Sequence, residues 1–193
     1  MPVRDEPGLN RLYSVGHSTR TTEELLSLLA EHSIVHLVDV RRFPGSRRHP
    51  HFGRDALSGS LAEAGVGYRH APELGGHRKP LPDSPNSGWR NDSFRGYADH
   101  MATREFADGL GELMREAGNR RSVILCAEAV PWRCHRNLLA DALVTRDWEV
   151  LHIIGPGTVR RHELNPMAVR HPGGIVYPGG PATGSDGQLD LLG

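Results

Sequence analysis

The sequence predicts an α/β fold: one domain built on a mainly parallel sheet of about five strands flanked by helices. Three observations predict it. Apolar runs of strand character alternate with amphipathic helical stretches, the rhythm of strand–helix–strand units. A chain of 193 residues is enough for one well-buried core and short for two. Polar and ionisable residues gather where the apolar runs stop, and open parallel sheets bind ligands outside the carboxyl ends of their strands.

After an N-terminal extension over 1–10, Leu12–Val15 reads as the first strand and ends in Gly16-His17-Ser18-Thr19. Thr22 caps a helix whose Leu25, Leu26, Leu28 and Leu29 form an apolar face. Val35–Val40 is the second strand, Ala56–Ala64 a second helix, and Val66–His70 a third strand. The interval 74–97 breaks the rhythm with Gly75, Gly76, Pro80, Pro82, Pro85 and Gly88, and reads as a long lid or binding loop. Thr103–Ala117 follows as a helix with Phe106, Leu110, Leu113 and Met114 on one side. Val123–Cys126 is the fourth strand, His135–Val144 the fourth helix, and Val150–Ile154 the fifth strand. The α/β domain is expected over 11–156. The Gly/Pro-rich stretch 157–193 is expected to be an extended, partly disordered tail.

The formal charge is zero, so no global field draws the chain to nucleic acid or membrane. Local charge says more. Lys79 is the single lysine among 23 basic residues, and five arginines with no acid lie between Arg41 and Arg54. Guanidinium forks match phosphate and carboxylate bidentately. Two cysteines do not make a secreted disulfide framework, and no leader pattern or membrane-length apolar run stands in the sequence. A cytoplasmic protein with free thiols and no membrane partner is the expectation.

The richest segment is LCAEAVPWRCHR, Leu125 to Arg136, which closes the fourth strand and opens the fourth helix. Three chemistries are open there. A thiolate at Cys126 or Cys134 could act as nucleophile, although the Cys126–Arg133 spacing has one residue too many for a phosphatase loop and lacks its glycines. Cys126, Cys134 and His135 could bind zinc, a weaker reading, because adjacent Cys-His is poor ligand spacing and no second C-x-x-C pair exists. Or the cysteines are small packing residues, preferred for Cys126 and left open for Cys134, with Glu128, His135 and Arg136 as the working groups. Elsewhere, a turn with an N-cap accounts for Gly16-His17-Ser18 as readily as a site does. Asp39 can simply pair with Arg41, and His152 reads as a hydrogen-bonded packing residue.

The set GHS, DVR-x-x-P-x-S-R, LGG and LCAE followed by P-x-x-CHR resembles the domain of unknown function 488 family from about Tyr13 to Ile154. The LCAE and P-x-x-CHR elements are its specific part. The resemblance singles out His17, Asp39, Arg41, Pro44, Ser46, Arg47, Gly75, Gly76, Cys126, Glu128, Pro131, Cys134, His135 and Arg136. It implies a Rossmann-like α/β domain and brings no assigned activity.

The functional expectation is an enzyme acting hydrolytically on a phosphate-bearing substrate, a nucleic acid or nucleotide. Asp39, Glu128, His17 and His135 are the candidate acid/base groups. Ser18, Arg41, Ser46, Arg47, Arg48, Gly75, Gly76, Cys134 and Arg136 are the candidate substrate- and phosphate-binding residues. For an N-glycosidic bond a carboxylate positions water, and Trp89, Tyr97 or Trp132 would wall the flipped base. The acids stand singly, which speaks against a two-metal nuclease. No cofactor is expected. The alternatives are a cysteine-dependent phosphatase-like or sulfur-transfer enzyme and a non-catalytic nucleic-acid or nucleotide-binding module.

Overall fold

Side chains that hold the first free N–H groups start three of the helices, in a computed structural model that describes residues 10–45 and 48–180. Thr21, not Thr22, caps α1 (Thr22–Glu31). It forms a capping box in which Thr21 Oγ1 accepts from Glu24 N–H at 3.2 Å and Glu24 Oε2 accepts from Thr21 N–H at 2.7 Å. Asn91 caps α3 (Asp92–His100), and Thr103 caps α4 (Arg104–Asn119). The remaining helices are α2 (Arg54–Glu63) and α5 (Arg136–Val144).

The strands are β1 (Arg11–Gly16), β2 (His36–Asp39), β3 (Gly67–His70), β4 (Ser122–Cys126), β5 (Glu149–Gly155) and β6 (Thr158–Arg161). They form one sheet of order β3-β2-β4-β1-β5-β6, in which β6 alone runs antiparallel. Consecutive side chains of a strand point to opposite faces, and the two cores follow that alternation. Val38, Ile124 and Val150 pack with α3, α4 and α5, whereas Leu37, Val123 and Leu151 pack with α1 and α2. The register brings the strand ends level: Gly16 lies beside Cys126, and Asp39 beside Leu125 and His70. The exits of β1, β2 and β4 therefore lie side by side and line one crevice.

Two boundaries differ from the sequence reading. The long loop stops at Asn91 and not at Tyr97, because Asn91 Oδ1 accepts from Ser93 and Phe94 N–H and starts α3. Gly96 inside that helix is needed for contact, since a Cβ there would lie 2.3 Å from the Arg78 carbonyl oxygen. The chain also stays packed past Pro156. β6 adds a sixth strand, β7 (Val169–His171) and β8 (Gly174–Val176) form a small ribbon, and Ile175 and Tyr177 are buried. Of the expected extension over 1–10, residues 1–9 lie outside the described residues, as does the tail beyond Gly180. No helix among the described residues is long and apolar enough to cross a membrane.

Candidate functional site

The crevice begins where β1 and β4 leave the sheet side by side. His17 N–H donates to the Cys126 carbonyl at 2.9 Å and Ser18 N–H to the Ala127 carbonyl at 2.8 Å, so the two exit loops are stitched together. They run so close that a Cβ on Gly16 would lie 1.8 Å from the Glu128 carbonyl oxygen. Arg136 locks this crossing from below. It is 1 % exposed, and its Nη1 donates to Ser14 Oγ at 3.0 Å and its Nη2 to the Glu128 carbonyl at 2.5 Å. The residue read as a phosphate contact is a buried strut beneath the loop that carries Glu128.

Asp39 and Arg41 share the next strand end. In an extended chain residues two apart lie on one side, and here they form a bidentate pair with Nε–Oδ1 2.8 Å and Nη2–Oδ2 2.5 Å. The Arg41 N–H and the Tyr68 hydroxyl also donate to the Asp39 carboxylate, at 3.1 and 2.9 Å. Asp39 is 0 % exposed and has donors on both oxygens, so it is a pivot for Arg41 with no oxygen free for a substrate proton. Arg41 Nη1 goes on to the Phe52 carbonyl at 2.8 Å and to His17 Nε2 at 3.3 Å. A carbonyl only accepts, so the 3.0 Å contact of His17 Nδ1 with the Ser18 carbonyl puts the proton on Nδ1 and leaves Nε2 to accept from Arg41. Burial, then the Arg41 charge, lowers the His17 pKa to about 4, and the imidazole is neutral at pH 7.

Two adjoining cavities open above this framework. One, of about 370 Å³, is lined by Arg42, Phe43, Gly76, His77, Asn91, Phe94, Cys126, Glu128, Arg133, Cys134 and His135, among others. The second, of about 530 Å³, is lined by His17, Ser18, Arg48, His49 and again Arg41, Phe43 and Glu128. Glu128 is the sole carboxylate among the described linings of both. Its side chain is exposed and bonds to no described residue, in contrast to Asp39. Arg48 and Arg133 are exposed at the rims, and Arg42 is half-buried with Nη1 on the His77 carbonyl at 2.9 Å. Ser18 and His77, both lining the crevice, hold left-handed backbone at φ 50° and 59°, an unusual concentration for residues other than glycine.

Close contacts require both LGG glycines. A Cβ on Gly75 would lie 2.8 Å from the Arg42 Cα, and one on Gly76 would lie 2.8 Å from His135 Nδ1. The three aromatics expected to wall a base lie elsewhere. Tyr97 is fully buried and donates to the Leu74 carbonyl at 2.9 Å, Trp89 stacks on Phe94 behind the crevice, and Trp132 faces a different cavity beside Arg160. The aromatics that line the crevice are Phe43, 70 % exposed, and Phe94. The signal for Phe43 was present in the sequence as an aromatic directly after Arg41 and Arg42 in the basic loop. Ser46 and Arg47 lie outside the described residues.

At the floor, Cys126, Cys134 and His135 place their ligating atoms within 4.8 Å of one another. His135 Nδ1 is 3.7 Å from Cys134 Sγ and 3.9 Å from Cys126 Sγ, and His135 Nε2 is 3.1 Å from the Val40 carbonyl. The thiols are free and behave as a pair. Sharing a hydrogen bond with Cys134, together with burial, pushes the Cys126 thiol well up. Burial opposes ionisation of Cys134 too, but the hydrogen bond from Cys126 and the nearby His135 and Arg136 outweigh it and hold that thiol well down.

A buried polar chain runs behind Arg136 and was legible only in part. Arg136 donates to Ser14 Oγ; His152 Nδ1 is 3.0 Å from that oxygen, and His152 Nε2 is 3.0 Å from His162 Nδ1. His162 Nε2 is 2.8 Å from Asp141 Oδ1, and the Tyr177 hydroxyl donates to Asp141 Oδ2 at 2.8 Å. Ser14, His152 and His162 link the Arg136 guanidinium to the Asp141 carboxylate in one chain, in which the buried Arg136 Nε alone has no hydrogen-bond partner. His152 is thus the hydrogen-bonded packing residue its strand position suggested.

A mainly parallel α/β sheet whose exit loops build a polar crevice defines a Rossmann-like architecture. Within that class, the model of the family described as Domain of unknown function DUF488 matches residues 21–143, and the chain belongs to that family. The matched span includes β2 to β4 and the CHR segment, while Gly16-His17-Ser18 and β5 fall outside it. Comparison with curated proteins and with solved structures finds no match.

Proposed function

We propose that this crevice is the active site of a hydrolase acting on a phosphate-bearing substrate, a nucleotide or nucleic acid, with Glu128 as its acid/base group. One observation carries the reading: the Glu128 carboxylate, exposed and bonded to no described side chain, stands where two cavities meet beneath arginine rims. Asp39 is withdrawn from that role by its own hydrogen bonds, and Cys134, at 3 % exposure, offers a substrate far less than Glu128 does. Arg48, Arg133 and Arg42 supply the cations for phosphates. Phe43 and Phe94 supply ring faces for a base. A single carboxylate suits hydrolysis of an N-glycosidic bond, where it orients water and stabilises positive charge on the sugar.

The test is a panel of DNA and RNA oligonucleotides with normal, deaminated and alkylated bases, run on wild type, E128Q and R48A/R133A. E128Q should bind as wild type does and turn over at least about 100-fold more slowly. R48A/R133A should weaken binding to every sequence and flatten the salt dependence by about one counterion per lost contact. Wild-type turnover in E128Q, or a salt slope unchanged by removing both arginines, overturns the reading.

A further inference from the structure

We infer that Cys126, Cys134 and His135 form a transition-metal site, best suited to zinc, with an open coordination position on the crevice. The distances fit. Zinc at about 2.3 Å from sulfur and 2.0 Å from nitrogen in a tetrahedron separates S from N by about 3.5 Å and S from S by about 3.8 Å. The observed Sγ–Nδ1 separations are 3.7 and 3.9 Å and all three ligating atoms lie within 4.8 Å of one another, so a metal asks at most a small closing movement of the two thiols.

The imidazole is prepared as a ligand. The Val40 carbonyl can only accept, so His135 Nε2 carries the proton and Nδ1 turns its lone pair to the two sulfurs. A backbone carbonyl on the far nitrogen is the usual outer-shell support of a metal-bound histidine. The ring is held further by Tyr97, whose centroid lies 4.9 Å away, and by the missing side chain at Gly76. Three protein donors leave the fourth position of a tetrahedron free, the arrangement of catalytic and not structural zinc. That position faces the 370 Å³ cavity, where Glu128 is the one described carboxylate. Water bound there would release its proton to Glu128 far more readily than free water does. The metal site itself rests on these three side chains and not on the hydrolytic reading.

The experiment is a titration of the reduced, chelator-stripped full chain with Co(II), followed by displacement with Zn(II). One Co(II) per chain should bind, with thiolate charge-transfer absorption and the intense visible bands of tetrahedral Co(II), and Zn(II) should abolish the colour. C126S, C134S and H135A should each weaken binding by more than about 100-fold, beyond the loss expected for an outer-shell change. E128Q should keep the metal, so a site that binds Co(II) in a protein without hydrolytic activity leaves this inference standing while the other falls. Because buried-thiol variants can fail to fold, two further readouts are needed. G76A keeps both thiols and should weaken binding by crowding His135, and Zn(II) should slow alkylation of both cysteines in wild type. Reduced wild type that shows no tetrahedral thiolate spectrum, or thiols that alkylate equally fast with and without Zn(II), overturns the inference.

Discussion

Replacing Asp39 by asparagine separates a positioning role from a chemical one. The carboxylate accepts four hydrogen bonds, three from Arg41 and one from Tyr68, at 0 % exposure, and the guanidinium is 6 % exposed. The pair is therefore dry, and no discount for surface screening applies. An amide keeps one acceptor oxygen and turns an NH2 group toward a donor, leaving the Arg41 charge buried and short of its partner. Breaking a buried pair from one side costs about 3–5 kcal/mol. For a chain of 193 residues each kcal/mol lowers the melting temperature by about 2–4 °C, so D39N should melt about 6–20 °C lower. Urea unfolding followed by circular dichroism gives the same quantity at 25 °C. The double variant D39L/R41M removes both charges and should recover most of the loss, since replacing both partners of a buried pair is often neutral. A D39N protein within about 2 °C of wild type, or a double variant no more stable than D39N, refutes the argument. Lost turnover at unchanged stability would return Asp39 to the chemistry.

Two further outcomes follow from the same framework. G16A places a Cβ 1.8 Å from the Glu128 carbonyl oxygen, a backbone atom that cannot rotate away, so it should cost about 3 kcal/mol or more and displace the Glu128 loop; near-wild-type melting with normal oligonucleotide binding would count against the crossing described. The second concerns pH. Burial, then the neighbouring His162, lowers the His152 pKa to about 3, while an unfolded chain protonates it near 6.5. Between those values the unfolded state holds the extra proton, so His152 contributes stability that is complete above pH 6.5 and is lost as pH falls toward 3. His17 acts in the same sense down to about 4. H152N should flatten the slope of unfolding free energy at pH 5 by about 1.4 kcal/mol per pH unit, one proton's worth. An unchanged slope in urea melts between pH 4 and 7 would show that His152 is not held neutral.

How much of this was legible in the sequence depended on whether the deciding contact was local. The inner parallel strands could be read because strands covered on both faces are largely apolar, as Val123 to Cys126 is. The packing of 158–177 could not, because its anchor, Tyr177 on Asp141, spans 36 residues and its strands are short and partly exposed. The site shows the same division. LCAE and CHR both bring residues to the lining of the crevice in a chain that folds as β4 and α5, yet Asp39 and Glu128 both look like acids at strand ends. What separates them is Arg41, two residues on from Asp39 and on its side of the strand; Glu128 has no such neighbour among the described residues.

The adjacency of Cys134 and His135 argued against a metal because neighbours in an extended chain point to opposite sides. The backbone removes that objection. Cys134 is extended at φ −136° and ψ 147°, whereas His135 has turned helical at φ −55° and ψ −18° as α5 begins. This change of conformation between two successive residues brings the imidazole back toward the Cys134 thiol. Cys126 arrives from the end of β4 to meet them, so a poor spacing in sequence becomes a three-donor cluster at the point where a strand, a turn and a helix join.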